Sequence, residues 1–121
     1  MKVLIVDSSA QIIQRLEFLL AETDGIGKVS GAVTYKEASM HFKQTKPDLV
    51  LLDLHLPEND SFKLLSEIKV SKLKTQVIGL STRNANPSQT EEISEGISFM
   101  LDKYYDFEQI PGIIQKIVTP K

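Results

Sequence analysis

The chain has 121 residues, of which 41% are hydrophobic and 25% are charged, as in a single globular domain with its own core. Its net charge of -2 gives no reason to expect direct nucleic-acid binding, and the absence of cysteine excludes disulfides and thiolate chemistry. No signal-peptide segment follows Met1 and no apolar run reaches membrane-spanning length, so we expect a cytoplasmic protein without a membrane partner.

Short apolar runs alternate with helical patterns along the chain. The strands are predicted at residues 2–6, 28–33, 48–53, 76–81 and 97–101. The helices are predicted at residues 9–22, 35–45, 61–70, 87–95 and 107–118. This (βα)5 pattern predicts an α/β fold, a doubly wound, five-stranded parallel sheet with helices on both faces. Fold precedent gives the flavodoxin-like strand order 2-1-3-4-5.

Local signals refine three of these helices. Asp60 is expected to cap the third helix, whose inward stripe would hold Phe62, Leu64, Leu65 and Ile68.

The fourth helix has Ile93 as its only large apolar residue, so we expect it and the loop before it to be the most mobile ordered region. Asp106 is a cap signal for the last helix, but Pro111 predicts a later start.

Charged residues follow three predicted strands at their C-terminal ends. Asp7 follows the first strand, Asp53 ends the third, and Lys103 comes just after the fifth. Because the carboxyl ends of parallel strands meet at one edge of a sheet, two carboxylates and an ammonium would converge there. Such a group suits a divalent cation and a phosphoryl group.

Each of these residues also has an ordinary structural interpretation. Asp7 is as well explained as a cap for the following helix, Lys103 alone as a solvated surface residue, and Ser81 as a partner for loop backbone. Asp53 is different, because the segment 55–57 after it does not start a helix.

The chain resembles the receiver domain of two-component response regulators over essentially its whole length. Residues 3–7 look like the family's first strand and the start of its acid pair, and residues 48–57 look like the phosphoacceptor strand. The segment 60–62 resembles the Asp-Gly-Phe entry into the third helix. Ser81 falls on the switch threonine or serine, and Lys103 on the lysine after strand five.

The resemblance implies a single receiver domain over residues 1–121, a signalling domain that catalyses only its own phosphotransfer and dephosphorylation. Asp53 would accept a phosphoryl group from a histidine kinase or histidine phosphotransfer protein. The phosphorylated domain would then bind a downstream protein differently. Ser81 and Lys103 would contact the phosphoryl group. Mg²⁺ would be held by Asp53, by Asp7 through water, and by the backbone carbonyl of His55.

Three positions depart from the family pattern. Ser8 replaces an acid that usually ligates the metal, so we expect Mg²⁺ binding to be weakened but not abolished. Tyr104 replaces a proline that is often cis, and we expect a trans bond because cis costs about 2.5–4 kcal/mol without proline. Met100 occupies the place of a switching aromatic, and we expect it to pack ordinarily.

Two other functional classes stay open. Ser8 and Tyr104 favour a pseudo-receiver, a phosphorylation-independent interaction module on the same fold. A small enzyme or flavin-binding module is a third class, although the segment 7–10 has no glycine for a phosphate loop. The chain ends at Lys121, which leaves no room for a DNA-binding domain, so we expect a stand-alone regulator or a piece of a longer protein.

Helix one also presents a possible partner contact. Phe18 lies about 200° around the helix from the centre of its apolar stripe near Leu16, at ~100° per residue. In the resembled family this helix and the loop after strand five receive the phosphodonor. Phe18 would therefore be a docking residue, with Tyr104 and Tyr105 extending the patch, or it would pack on a neighbouring helix.

Overall fold

A computed structural model describes residues 1–81, 97–103 and 106–118. The five strands are β1 (Lys2–Val6), β2 (Lys28–Ala32), β3 (Leu49–Asp53), β4 (Gln76–Ser81) and β5 (Phe99–Asp102). They form one parallel sheet in the order β2-β1-β3-β4-β5, which confirms the predicted topology. The described helices are α1 (Ala10–Ala21), α2 (Tyr35–Thr45), α3 (Asp60–Val70) and α4 (Ile110–Val118). The predicted helix at 87–95 lies outside the described residues.

Alternation along the strands fills a core on each face of the sheet. In β1, Val3 and Ile5 pack with α1 and α4, whereas Leu4 and Val6 pack with α2 and α3. Every residue of β3 is buried, as expected for the central strand of a sheet covered on both sides. Among the described helices, none combines the length and apolarity needed to cross a membrane.

The helices begin in two different ways. Side chains cap α1 and α2: Ser9 Oγ accepts a hydrogen bond from the Ile12 amide at 3.3 Å, and Thr34 Oγ1 accepts one from the Glu37 amide at 3.2 Å. A tight turn at Pro57–Asn59, in which Glu58 and Asn59 have left-handed backbone angles, precedes α3, and a single turn of 3₁₀ helix at Phe107–Gln109 precedes α4.

Two predictions about these helix starts have different outcomes. The predicted cap at Asp60 is wrong, because Asp60 is already the first residue of α3 and the cap position belongs to Asn59. The Asp60 carboxylate instead pairs with Lys63 at 3.1 Å. The late start of the last helix is confirmed, with Pro111 in the first turn of α4, where its missing N–H leaves no bond unmade.

Two large apolar side chains lie outside the core, contrary to prediction. Phe62 is 50% exposed and Met100 is 39% exposed. The buried stripe of α3 is instead made of Ser61, Leu64, Leu65 and Ile68. These four positions follow the helical spacing i, i+3, i+4 and i+7, with a serine at the head of the stripe.

Candidate functional site

The register of the sheet brings the two predicted aspartates to the same level. Val6 in β1 pairs with Leu52 in β3, and Asp7 and Asp53 are the next residues along each strand. Both aspartates are buried, with relative exposures of 0% for Asp7 and 1% for Asp53. Neighbouring parallel strands therefore present two carboxylates side by side at their C-terminal edge.

The same register supplies a hydroxyl and an ammonium from the other side. Ser81 ends β4 opposite Asp102 of β5, and the Lys103 amide donates a hydrogen bond to the Ser81 carbonyl at 2.8 Å. Lys103 is buried, with 7% of the residue exposed, and its side chain turns inward. Its Nζ lies 3.0 Å from Asp7 Oδ2 and 3.4 Å from Asp53 Oδ2. The sequence-predicted lysine thus links both aspartates.

Burial and charge act against each other in this cluster. Desolvation by burial raises the pKa of the Asp7 carboxyl and the charge of Asp53 adds to the rise, against a hydrogen bond from the Ser9 amide and the charge of Lys103. Burial by itself lowers the pKa of the Lys103 ammonium, but its bonds and charge contacts with Asp7 and Asp53 outweigh burial and raise that pKa.

The loop after β3 completes the site. The His55 amide donates to Asp53 Oδ1 at 2.9 Å, which fixes the rotation of the carboxylate. The imidazole Nε2 of His55 lies 3.2 Å from the Ser81 hydroxyl, so the side chain also contacts the site. Sequence reasoning gave His55 a role only through its carbonyl and missed this contact, for which the sequence carries no signal.

Sequence and structure comparisons decide the family. The family model of the response regulator receiver domain matches residues 3–115. The chain belongs to this receiver-domain family. Its relatives include the virulence transcriptional regulatory protein PhoP of Salmonella typhimurium, 25% identical over 118 residues that cover 98% of this chain and 52% of PhoP. The transcriptional regulatory protein YhcZ of Bacillus subtilis is 35% identical over 82 residues, which cover 68% of this chain and 38% of YhcZ.

Solved receiver structures share the fold. The receiver domain of the Francisella response regulator 1452 superposes with a TM-score of 0.80 at 24% identity, covering 97% of this chain and 95% of that one. The response regulator domain of Thermotoga maritima CheB gives a TM-score of 0.74 at 21% identity, with coverages of 98% and 92%. This receiver domain spans about half the length of the PhoP proteins that it matches.

Receiver domains generally bind Mg²⁺ at their acidic site, and the residues of this receiver fit a hydrated cation. The buried Asp7 Oδ2 lies 3.0 Å from the Lys103 ammonium, and no other donor of the described residues reaches it. A buried carboxylate oxygen with spare acceptor capacity is suited to a cation or its water. Two such carboxylates with one lysine leave a net negative charge that favours cation binding.

The metal set is nevertheless incomplete. Within the parts of the chain that the structure describes, no three side chains of His, Cys, Asp or Glu gather closely enough to hold a metal. The side chain of Ser8, which stands in place of a second acid, is exposed beside the buried Asp7. A Mg²⁺ ion in this receiver would therefore depend on backbone oxygen and water as well as on Asp7 and Asp53. Tyr104 lies outside the described residues, so its peptide bond stays a prediction.

Ser61 is a site residue that sequence reasoning missed. It was noted only as part of the resemblance to the helix-three entry, yet its side chain is buried and hydrogen-bonded to the backbone of the acceptor loop. The available signal was its spacing, because Ser61 falls on the buried stripe of α3 with Leu64, Leu65 and Ile68. A polar residue on an apolar stripe, one turn after an acceptor loop, indicates a backbone partner.

Proposed function

We propose that Asp53 of this receiver domain accepts a phosphoryl group from a histidine kinase or a histidine phosphotransfer protein, and that the modified domain binds a downstream protein differently. The observation that carries the proposal is the convergence of Lys103 on both buried aspartates. We further propose that residues 1–121 form one receiver unit that acts in the cytoplasm, without direct contact to nucleic acid.

The transfer needs little more than charge and position. A carboxylate oxygen of Asp53 forms the new P–O bond while the P–N bond of the donor histidine breaks, and the nitrogen keeps the electron pair. Asp53 is held for this attack by the His55 amide on one oxygen and by Lys103 near the other. The Lys103 ammonium lies where it can pair with the incoming phosphoryl oxygens.

Mg²⁺, when bound, would neutralise charge on the phosphoryl oxygens, with Asp53, Asp7 through water and the His55 carbonyl as its protein partners. Ser81 has the second positioning role. In this structure its hydroxyl lies against the His55 imidazole, and in the phosphorylated domain it would turn to donate to a phosphoryl oxygen. That movement of Ser81 links the chemistry at Asp53 to the end of β4.

The proposal is tested by labelling with acetyl phosphate in excess Mg²⁺, followed by intact-mass spectrometry. Wild type should gain the mass of one phosphoryl group and Asp53→Asn should gain none. Asp48→Asn is a matched control, because it makes the same change just before β3 at an exposed site. Labelled Asp53→Asn would exclude Asp53 as the acceptor, and unlabelled wild type would favour the phosphorylation-independent interaction module.

A partner surface is proposed on α1. Phe18 is 74% exposed, so the alternative that it packs on a neighbouring helix is wrong. It borders a groove between α1 and the turn at Phe107–Gln109, lined also by Arg15, Leu19 and Phe107. The Arg15 guanidinium lies 5.1 Å from the centre of the Phe107 ring, which gives the groove a cationic and aromatic wall.

We propose that a histidine-bearing phosphodonor docks on this groove. Phe18→Ala should slow phosphotransfer from the protein donor while leaving acetyl phosphate labelling and the melting temperature nearly unchanged. Val70→Ala is the matched control, because Val70 is 82% exposed at the C-terminal end of α3, away from the groove. Equal slowing in both variants, or none in Phe18→Ala, would exclude this docking surface.

A further inference from the structure

One buried hydroxyl ties α3 to the loop that carries the acceptor aspartate. Ser61, the second residue of α3, is only 4% exposed. Its Oγ donates a hydrogen bond to the Asp53 carbonyl oxygen at 2.6 Å and accepts one from the Leu56 amide at 3.1 Å. Donor and acceptor capacity of the hydroxyl are thus both used, and both partners are backbone groups of the acceptor loop.

The bond to the Leu56 amide constrains more than Leu56. That N–H belongs to the same peptide group as the His55 carbonyl, and a trans peptide group is planar with its N–H and C=O pointing in opposite directions. Holding the Leu56 N–H against Ser61 therefore aims the His55 carbonyl oxygen away from α3. Rotation of this one peptide would redirect the backbone oxygen that the magnesium site depends on.

Four hydrogen bonds hold the four residues 53–56 of the loop. The Asp53 side chain accepts from the His55 amide at 2.9 Å, while Ser61 holds the Asp53 carbonyl and the Leu56 amide. The Leu54 amide also donates to the Leu80 carbonyl of β4 at 2.9 Å, which fixes the start of the loop. Little freedom is left in the peptide between His55 and Leu56.

We infer that Ser61 is a positioning residue for Mg²⁺ binding: its hydroxyl orients the His55 carbonyl, one of the few oxygens available to the metal in a site where Ser8 provides no carboxylate. The inference rests on the proposed magnesium site. Ser61 would thus bring α3 into a site whose other residues lie at or just after the strand ends. The affinity for Mg²⁺ would then depend on how rigidly the backbone of the loop is held.

The test separates positioning from general stability. Ser61→Ala and Ser61→Gly both remove the hydroxyl, one with high and one with low helix propensity. Ser39→Ala is the matched control, because Ser39 is a similarly buried helical serine whose hydroxyl donates to Glu67 at 2.8 Å, between α2 and α3. Mg²⁺ affinity is measured by amide NMR titration with MgCl₂, stability by thermal melting, and loop closure by hydrogen exchange at the Leu56 amide.

Both Ser61 variants should bind Mg²⁺ about tenfold more weakly, the loss typical when the support of a metal ligand is removed. Their Leu56 amide should exchange faster than in wild type, also without metal. Ser39→Ala should lose comparable stability and keep both wild-type Mg²⁺ affinity and Leu56 protection. Wild-type affinity in either Ser61 variant, or equal weakening in Ser39→Ala, would overturn the inference. Failure of wild type itself to bind Mg²⁺ would instead overturn the magnesium site.

Discussion

Two clusters of polar side chains interrupt the apolar packing, one at the strand ends and one between α2 and α3. In the second, which we call the helix cluster, Tyr35 and Ser39 of α2 each donate a hydroxyl hydrogen bond to a different carboxylate oxygen of Glu67 on α3. Its single carboxylate has a donor on each oxygen. The pKa of Tyr35 is raised, with its hydrogen bond to Glu67 as the largest cause.

The first, which we call the site cluster, consists of Asp7, Asp53 and Lys103, and its charges do not balance. It contains two carboxylates for one ammonium, and among the described residues Lys103 is the one donor that reaches Asp7 Oδ2. The charges of the two aspartates oppose each other. The comparison indicates that the helix cluster, whose carboxylate has a donor on each oxygen, stabilises this fold, whereas the site cluster holds excess negative charge at the expense of stability.

The largest effect is expected from adding the missing carboxylate to the site cluster. Ser8→Asp should tighten Mg²⁺ binding roughly ten- to a hundredfold, about 1.4–3 kcal/mol, because a third negative charge joins the site without being buried. Calorimetry with MgCl₂ measures the change. Gln14→Glu, which adds a charge on the exposed side of α1, should leave affinity nearly unchanged. Unchanged or weaker Mg²⁺ binding in Ser8→Asp would show that the missing metal ligand is not at position 8.

Removing the Glu67 carboxylate from the helix cluster should lower the stability of the domain and leave its phosphorylation unchanged. Glu67→Ala leaves the buried Ser39 hydroxyl without its acceptor, a change that typically costs about 1–3 kcal/mol. The pKa of Tyr35 should fall back toward its ordinary value, because its hydrogen-bond acceptor is gone. Urea denaturation and pH titration of the Tyr35 ring by NMR measure the two effects.

Labelling with acetyl phosphate is the critical readout for Glu67→Ala, because the comparison requires it to stay at the wild-type level. Glu17→Ala, at an exposed glutamate on α1, should change stability by no more than about 0.5 kcal/mol. A loss of labelling in Glu67→Ala at temperatures where the variant is folded would show that the helix cluster also serves the site.

Neutralising one carboxylate of the site cluster should instead raise the stability of the domain. Asp7→Asn removes a buried charge that burial and Asp53 disfavour, so the variant should be more stable at pH 7 by roughly 0.5–2 kcal/mol, the usual size of a stabilising change. The same variant should bind Mg²⁺ more weakly. Urea denaturation and amide NMR titration with MgCl₂ measure the two changes.

The stability difference between Asp7→Asn and wild type should depend on pH in a definite direction. The folded pKa of Asp7 is raised above its unfolded value, so the wild type is relatively most stable below the unfolded pKa and loses that advantage as pH rises through the folded pKa. The gain in Asp7→Asn should therefore grow with pH over that range and vanish below 3.8, the ordinary pKa of an aspartate. A constant or inverted difference between the two proteins would show that the Asp7 charge is not the cause.

The strand-end residues could be predicted from the sequence because periodicity fixes where each strand stops. Once Val6 and Leu52 are aligned in a parallel sheet, Asp7 and Asp53 must be neighbours. The contacts made by loops could not be predicted in this way. The His55 contact with Ser81 depends on the path of the chain after β3, for which no short-range signal exists.

The errors on α3 have the same origin. Phe62 was assigned to the core by hydrophobicity, but the stripe that faces the sheet begins at Ser61, one position earlier. Residue type predicts Asp60 as the cap, but the left-handed turn at Pro57–Asn59 lets α3 begin one residue earlier, at Asp60 itself. Both assignments depend on how the acceptor loop enters α3, which tertiary contacts of Ser61 with Asp53 decide.

The smallest effect concerns the backbone of the acceptor loop, where left-handed backbone angles add conformational strain to the excess negative charge of the site cluster. Glu58 has φ of 58° and Asn59 has φ of 60°, in the left-handed region that disfavours side chains other than Asn, Asp and Gly. Glu58→Gly should therefore stabilise the domain by about 0.5–1 kcal/mol, even though glycine loses more chain entropy on folding. Lys36→Gly, at an exposed position in α2, should destabilise it by about the same amount. Urea denaturation of both variants gives the two signs. If Glu58→Gly also destabilises, the left-handed turn stores no strain, and the contrast between the site and the helix cluster is one of charge alone.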